Sequence, residues 1–459
     1  MKYYNVHGKK LLIPSFFQVY NFGGGNGDKD REIVYSEFTD DTPALINYFY
    51  INNEYPHLFL SKLFDNVTTK YSKVGDLYND IRTALINKGK KYSEYSSPAY
   101  DFNKKVFLLD SGAFSVVKAV AKDVKYNIDL FLQNLPKHVE RYYEFANKLH
   151  FDIVVGFDLG GKYTEKDGEK SDDKLIAFLS KLDEDSVNNA ILEQTILYLK
   201  NHPDYYPLVL ATIHGKTPNQ FEENTKFVLS LEKKYNTSFW GFALGGIASA
   251  KQLDNSWFSN INFKPIGNKP FKDTVAPARA SKIVRSLVGD RPIHALGCGG
   301  YPSILLNYFN GATSFDAASP VRRVGDGNEA STKIVFNPTP SKEGFSKYFM
   351  GGINFDGSMR PDKCGYIKLN EVPDSTIMCG CKACNAAVNI HNIKHLYSLK
   401  SINSEANYYS RQLIGLHAVM QHRMLCETIS KFASIEDFCR QYKNSLFDGL
   451  LYLSESINN

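Results

Sequence analysis

The sequence lacks the features that mark a secreted or membrane-spanning protein. Its first ten residues, MKYYNVHGKK, contain no apolar stretch of the kind found in secretory signals. No run approaches the roughly 20 apolar residues that are needed to cross a bilayer. The seven cysteines are odd in number, and three of them lie within six residues, which argues against a disulfide framework. We therefore expect a cytoplasmic protein with reduced thiols.

The sequence also has no strong charge bias, no internal repeat and no low-complexity tract. Of its 459 residues, 43% are hydrophobic and 22% are charged, as in ordinary globular proteins. The net charge of +5 is compatible with a polyanionic partner but does not identify one. The length allows a barrel-sized domain with an appended module.

Short apolar runs that close on polar or glycine-rich tips recur along the chain. They are KVFLLDSGAF, FDIVVGFDLGG, YPLVLATIHG, SFWGFALGGIA, RPIHALGCGG and ATSFDAASP. Their length and composition predict strands that are buried on both faces. Helical spacing appears between them, for example in NIDLFLQNLPKHVERYYEFANKL, NNAILEQTILYLKNH and NQFEENTKFVLSLEKKY. This alternation predicts an α/β protein, and six units with room for two more favour a (β/α)8 barrel of the TIM type.

The tips of the predicted strands carry polar residues and glycines. In such a barrel the carboxyl ends of all the strands open on one mouth. Any single residue of this kind could be an ordinary turn residue, but three aspartates and a histidine on four separate strand ends predict a common site. The residues concerned are Asp110, Asp158, His214, Gly245, Gly246 and Asp316.

The pattern changes after the last of these strands. Residues 325–375 are rich in Gly, Pro, Asn, Ser and Lys, which is typical of loops and short strands, and helical spacing returns from about residue 405. We predict a catalytic barrel over 1–349, a zinc-binding subdomain over 350–425 and a C-terminal helical segment over 426–459 that packs on the barrel.

The stretch CGCKACN places Cys379, Cys381 and Cys384 in a C-x-C-x-x-C pattern. Thiolates at this spacing can converge on one tetrahedral zinc ion, although a chance cluster of buried thiols is the simpler alternative. The fourth ligand would be a histidine. His417 lies in a helical segment, whereas His391 and His395 are closer in sequence, and His391 could close a local knuckle. With four protein ligands the site is closed, so its role would be structural.

The order of these motifs resembles that of the tRNA-guanine transglycosylase superfamily. The motifs are LLDSGAFS, GFDLGG, ALGGIA, ALGCGG and SFDAASPVRR, followed by C-x-C-x-x-C and a helical histidine. The resemblance covers roughly residues 100–425. It implies a zinc-bearing (β/α)8 barrel that exchanges a guanine base in a nucleic acid for a 7-deazaguanine.

The resemblance also implies roles for individual residues. Asp316 matches the nucleophile of the family, and Asp110 matches its general acid and base. Phe114 matches the aromatic residue that stacks on the base, and Asp158 matches the carboxylate that binds the guanine edge. Residues that match the backbone and apolar walls of the base pocket are Gly245, Gly246 and Leu296. Residues that match the zinc ligands are Cys379, Cys381, Cys384 and His417.

Two arginines follow the predicted nucleophile directly. Arg322 and Arg323 could hold a phosphate that flanks the target base, or they could be a solvated basic pair.

The implied chemistry agrees with the residue types. Cleavage of an N-glycosidic bond develops positive charge at the sugar carbon, and a carboxylate can attack this carbon to form a covalent glycosyl-enzyme. A second acid must protonate the departing base and later deprotonate the incoming one. The target base must leave the stack and enter a pocket that binds its edge and its face.

The motifs depart from those of the transfer-RNA enzymes at three places. Residues 110–115 are D-S-G-A-F-S where those enzymes carry D-S-G-G-F-Q, and His214 replaces a glutamine. SPVRRVGDG stands in place of P-T-R-x-x-R-x-G. These departures favour the DNA-guanine transglycosylases, which insert 7-cyano-7-deazaguanine into DNA. We expect DNA and the free base as partners. The sequence leaves open whether a helper protein or a second copy of the chain is also a partner.

Three alternatives remain at the level of the sequence. The first is a tRNA-guanine transglycosylase of the queuosine or archaeosine type. The second is a noncatalytic subunit that only binds nucleic acid or an active partner. The third is an unrelated barrel with a zinc knuckle. The presence of both Asp110 and Asp316 favours an enzyme.

Overall fold

The structure of the protein is a computed structural model that describes most of the chain up to residue 317 and several parts beyond it. The described residues are 1–20, 42–51, 70–80, 101–160, 173–248, 253–263, 269–317, 332–333, 352–353, 419–420, 422–441 and 445–458.

Eight parallel strands close into a barrel, which confirms the predicted TIM-type architecture. An antiparallel hairpin, β1 (Lys2–Val6) and β2 (Lys9–Ile13), precedes the barrel. The barrel strands are β3 (Ser15–Tyr20), β4 (Ala44–Asn47), β5 (Phe107–Asp110), β6 (Ile153–Val155), β7 (Leu208–Ile213), β8 (Gly241–Leu244), β9 (Ile293–Ala295) and β10 (Ser314–Ala317). Each strand pairs with its neighbour in sequence, and β10 closes the barrel on β3.

The six predicted apolar runs form β5 to β10. The two strands for which the sequence left room are β3 and β4, near the N-terminus. A further two-stranded ladder joins β11 (Thr332–Lys333) to β12 (Gly352–Ile353).

Helices surround the barrel. They are α1 (Tyr48–Ile51), α2 (Ala113–Asp123), α3 (Ile128–Lys148), α4 (Asp173–Leu179), α5 (Glu184–Asn201), α6 (Pro218–Tyr235), α7 (Lys269–Val288), α8 (Tyr301–Phe309), α9 (Ile435–Gln441) and α10 (Ser445–Asn458). Residues 74–80 and 422–429 are also helical. Three of the long helices begin at a side chain that accepts from a backbone N–H of the first turn, as N-caps do: Asn127, Asp183 and Thr217.

The alternation of side chains along the strands builds two apolar layers. In β5, Leu108 faces the interior of the barrel, while Phe107 and Leu109 pack against the surrounding helices. Because successive side chains in a strand point to opposite faces, Asp110 lies on the same side as Leu108. In β10, Phe315 packs outward, so Asp316 lies on the interior side. The strand period therefore directs both aspartates into the barrel mouth.

The helices that follow the predicted zinc-binding segment return to the barrel. α10 contacts α7 and α8, and Lys282 of α7 donates from Nζ to the carbonyl oxygen of Ile457 over 3.1 Å. Most of the predicted zinc-binding subdomain, 350–425, lies outside the described residues. In the described ranges, no helix has both the length and the apolar character needed to cross a bilayer.

Candidate active site

Three aspartates from three strand ends lie at the mouth of the barrel. Asp110 is the last residue of β5, Asp316 is in β10, and Asp158 follows the end of β6 by three residues. Asp158 and Asp316 are each 8% exposed, so these carboxyls are largely removed from water. The three groups are close enough for the charges of Asp158 and Asp316 to act on the pKa of Asp110.

Asp110 is the carboxyl group whose protonation the site alters most clearly. Burial, followed by the negative charges of Asp158 and Asp316, raises its pKa to about 7. Hydrogen bonds from the backbone of Gly112 and from Asn47 oppose this shift. Asp110 can therefore hold a proton near neutral pH and can also release it, as a general acid and base must.

Asn47 fixes the orientation of this carboxyl. It is the last residue of β4 and lies opposite Asp110 in the parallel register of the two strands. Its Nδ2 donates to Oδ2 of Asp110 over 2.9 Å, and its Oδ1 accepts from the backbone N–H of Phe49 over 3.1 Å. The second bond sets which way the Asn47 amide faces. The amide therefore presents its donor to Asp110.

Gly112 allows Asn47 to reach Asp110. It has a φ of 60°, in the left-handed region, and a Cβ at this position would overlap the Asn47 side chain. The backbone turns here into α2, whose second residue is Phe114. The glycine of the D-S-G motif is therefore required both by its backbone angle and by the space that Asn47 occupies.

Asp316 is held by one of its two oxygens. The backbone N–H of Gly297, just after β9, donates to Oδ1 over 2.7 Å. The Nε2 atom of His294 lies 3.3 Å from the same oxygen. Among the described residues, Oδ2 of Asp316 has no hydrogen-bond partner. The second oxygen therefore has no competing hydrogen bond from this part of the chain.

Asp158 and His214 form a close pair between the ends of β6 and β7. The Nε2 atom of His214 lies 2.5 Å from Oδ2 of Asp158, and the Ser111 hydroxyl donates to Oδ1 over 3.2 Å. Burial lowers the pKa of His214, but the hydrogen bond and the charge of Asp158 outweigh it, so the pKa is raised. The pairing therefore favours a protonated imidazole with an N–H donor on each ring nitrogen.

The two glycines after β8 line the other side of His214. A Cβ at Gly245 would overlap the imidazole ring, and a Cβ at Gly246 would lie 3.3 Å from Nδ1. Gly246 also has a φ of 73°. Leu296 is partly buried and packs on the apolar cluster inside the barrel. Gly245 and Gly246 thus place backbone directly against His214, and Leu296 adds an apolar side chain inside the barrel.

The described residues do not include the predicted zinc ligands or the predicted phosphate contacts. Those positions are Arg322, Arg323, Cys379, Cys381, Cys384 and His417. Within the described part of the chain, no group of three or more histidine, cysteine, aspartate or glutamate side chains is arranged to hold a metal ion.

Three residues of the site were not predicted from the sequence: Asn47, Ser111 and His294. Ser111 follows Asp110 directly and could have been included as its neighbour. His294 is the polar residue within a fully buried three-residue strand, which is a detectable signal. Asn47 ends a run of only three apolar residues, too short to be recognised as a strand.

The mouth of the barrel thus combines an acid, an anchored carboxylate and a carboxylate–imidazole pair. A carboxyl that can hold a proton near neutral pH, close to a second carboxyl, is the arrangement that retaining glycosidases use to break a glycosidic bond through a covalent intermediate. No protein-family model matches the chain, and a search of curated proteins finds no match either.

Proposed function

We propose that the protein is a base-exchange transglycosylase that replaces guanine in DNA with a 7-deazaguanine such as 7-cyano-7-deazaguanine. The observation that carries the proposal is the difference between two carboxyls at one mouth. Asp110 has a pKa of about 7, and Asp316 presents an oxygen that is free of partners among the described residues. Glycosyl transfer through an enzyme ester requires these two roles, one carboxyl as the proton donor and the other as the nucleophile.

The first half of the proposed reaction removes guanine. Oδ2 of Asp316 attacks C1′ of the target nucleotide, and the bond between C1′ and the base nitrogen breaks. The electron pair of that bond leaves with the base, and the proton of Asp110 neutralises the departing guanine. The DNA strand is then held as an ester of Asp316.

The second half reverses these steps with a different base. Asp110, now ionised, removes a proton from the incoming 7-deazaguanine. The ring nitrogen attacks C1′, the ester bond to Oδ2 breaks, and the carboxylate of Asp316 is released. The two half-reactions require no external oxidant or reductant, and Asp110 is protonated again at the end, with the proton of the incoming base in place of the one that left with guanine.

The base pocket would select guanine-like rings by their edges. Asp158 can accept hydrogen bonds from N1–H and the exocyclic amine of guanine, a pair of donors that adenine does not present. His214, whose pKa is raised by its hydrogen bond to Asp158, can donate to O6 or to a nitrile at position 7. The family resemblance implies that the bound ring would stack on Phe114 and contact Leu296, with the backbone of Gly245 and Gly246 at its edge.

The proposal includes one structural zinc ion per chain. Three thiolates and an imidazole are a donor set that suits tetrahedral zinc, and such a closed site stabilises a fold. The ligands would be Cys379, Cys381, Cys384 and His417. In this proposal the zinc orders the loop-rich segment after the barrel and takes no part in the chemistry.

One experiment separates the candidate activities. The purified protein is incubated with 7-cyano-7-deazaguanine and either duplex DNA or bulk tRNA, and the nucleic acid is digested to nucleosides for mass spectrometry. A modified deoxynucleoside that is absent with Asp316→Asn supports the proposal. A modified ribonucleoside alone assigns the protein to the tRNA-modifying alternative. No modified nucleoside in either reaction would favour the noncatalytic subunit.

A further inference from the structure

His294 is a buried imidazole that the proposed reaction does not use. It lies in the middle of β9, is 0% exposed, and faces the interior of the barrel beneath Asp316. Its Nδ1 atom is 2.9 Å from Oγ of Ser314, and its ring meets that of Phe17 edge to face at 5.5 Å between centroids. These contacts from two neighbouring strands fix the plane of the imidazole.

The other ring nitrogen points to the proposed nucleophile. Nε2 is 3.3 Å from Oδ1 of Asp316, but the two atoms are not aligned as a hydrogen bond, and Nε2 has no other partner among the described residues. A buried ring nitrogen without a partner lowers the stability of the folded state. Catalytic hydrogen bonds are often long or misaligned before substrate binds and tighten in the complex, so this contact has the geometry of an interaction completed during the reaction.

The backbone N–H of Gly297 and the imidazole of His294 both approach the same oxygen of Asp316, Oδ1. Gly297 donates its backbone N–H to Oδ1, and His294 approaches Oδ1 from within the barrel. If Ser314 donates to Nδ1, Nε2 carries a proton, and a small realignment would give Oδ1 two donors that set the rotation of the carboxylate and the direction of Oδ2.

We propose that His294 is a positioning residue that, with the backbone N–H of Gly297, anchors Oδ1 of Asp316 so that Oδ2 is the attacking atom. This inference rests on the proposed function. When Oδ2 bonds to C1′ and the base leaves, Oδ1 becomes the carbonyl oxygen of the ester, keeps the hydrogen bond from Gly297 and gains an aligned one from Nε2–H of His294. The Gly297 bond is therefore present from the free enzyme onward, and the His294 bond completes the anchor in the covalent intermediate.

A purely structural role for His294 would depend on its contacts with Ser314 and Phe17 alone. The two roles separate because they use different edges of the ring. A glutamine side chain places its amide near the position of Nε2, whereas the shorter asparagine amide reaches only the position of Nδ1. His294→Gln and His294→Asn are therefore matched variants that keep one edge each.

The test compares these variants in a single turnover with a DNA oligonucleotide. The rate of formation of a denaturation-resistant protein–DNA adduct is measured together with the Kd for DNA and the melting temperature. We expect His294→Asn to slow adduct formation by about a hundredfold, the size of effect seen when one aimed donor is removed, and His294→Gln to stay within about tenfold of wild type. The Kd should not change. Equal rates for the two variants, or losses that follow the melting temperature, would overturn the inference.

If neither histidine variant folds, Ser314→Ala tests the role of His294 instead. It releases Nδ1 and leaves the ring free to turn away from Asp316, so adduct formation should slow several-fold at an unchanged Kd. An unchanged rate would overturn the inference. If the wild type itself forms neither adduct nor exchanged base, the proposed function fails, whereas an active wild type with unaffected variants removes only the role of His294.

Discussion

Asn47 and Asp110 end adjacent barrel strands at the same level, and the amide of one donates to the carboxyl of the other over 2.9 Å. The bond ties the proton-carrying group of the proposed mechanism to a second strand. It also opposes the rise in the pKa of Asp110 that burial and the two neighbouring carboxyls produce. The protonation of Asp110 is therefore set by a balance that single substitutions can shift.

The first prediction concerns the pH dependence of catalysis. In the proposed mechanism, removal of guanine requires a protonated Asp110, whose pKa is about 7, so the single-turnover rate of adduct formation should fall as the pH rises above about 7. Asn47→Leu removes a hydrogen bond that lowers this pKa, so the midpoint of the profile should move to higher pH. A profile that is the same in the variant would show that Asp110 is not the proton donor.

The second prediction concerns stability. Because the pKa of Asp110 is raised from 3.8 to about 7, the folded state binds a proton that the unfolded state has released between these values. Stability contributed by the neutral group is present below about pH 4 and is lost as the pH rises through about 7. Asp110→Asn, which cannot ionise, should therefore melt at a higher temperature than wild type at pH 8, and the gap should shrink toward pH 4.

Asp183 provides the control for this experiment. It is the N-cap of α5, and its hydrogen bonds with Ser186 lower its pKa. Its stabilising effect is present above the unfolded pKa and is lost on acidification. Asp183→Asn should therefore change the melting temperature with the opposite dependence on pH. If both variants show the same trend, the effect would come from net charge and not from the site.

The third prediction concerns the nucleophile. Asp316→Asn should abolish both the exchange of labelled guanine and the denaturation-resistant adduct, because an amide cannot form the ester. Binding of DNA, measured by fluorescence anisotropy, should stay close to that of wild type. Exchange that survives in this variant would assign the nucleophile elsewhere.

The fourth prediction concerns the base pocket. Gly245→Ala places a methyl group in the space of the His214 ring, so the imidazole must move away from Asp158. We expect the KM for the free base to rise at least tenfold with little change in DNA binding. Gly300→Ala is the matched control, because a methyl group there meets nothing within 4 Å. Equal effects of the two substitutions would contradict the proposed position of the base.

A companion substitution tests which group selects the base. Asp158→Ala removes the proposed acceptor for the guanine edge and the partner that raises the pKa of His214. The variant should lose its preference for guanine-like bases in competition with adenine-like ones. Unchanged selectivity would count against Asp158 as the group that binds the base.

The fifth prediction concerns the metal. Elemental analysis should find close to one zinc per chain in the wild type, and Cys381→Ser and His417→Ala should lose it and unfold at lower temperature. His391→Ala and His395→Ala should keep the metal. Loss of zinc in His391→Ala but not in His417→Ala would support a local knuckle in place of the ligand set implied by the family resemblance.

The sequence predicted those strands of the barrel that are buried on both faces, because each of them is a continuous apolar run. FLLD, IVV and LVLATI are such runs, and each forms a strand whose tip carries a residue of the site. The barrel architecture and the gathering of the strand tips follow from these runs and from the period of a strand.

The supporting contacts could not be predicted in the same way. Asn47 reaches Asp110 because of the register of β4 against β5, and His294 reaches Asp316 because β9 and β10 are neighbours. Both relationships depend on pairing between distant segments, which leaves no pattern within either segment alone. The zinc ligands and the arginines after Asp316 stay predictions, since they lie outside the described residues.

Closure of the barrel has a consequence for how the protein folds during synthesis. The strand that carries Asp316 is the last of the eight, and it pairs with the first, so that Asp316 lies opposite Phe17. A nascent chain that ends before residue 314 has seven strands and two open edges, and pairing across so long a stretch of chain is slow. The ribosome must therefore release nearly all of the barrel before the edges can meet. The proposed nucleophile is part of the segment that closes the two edges, so an open, partly made barrel lacks it.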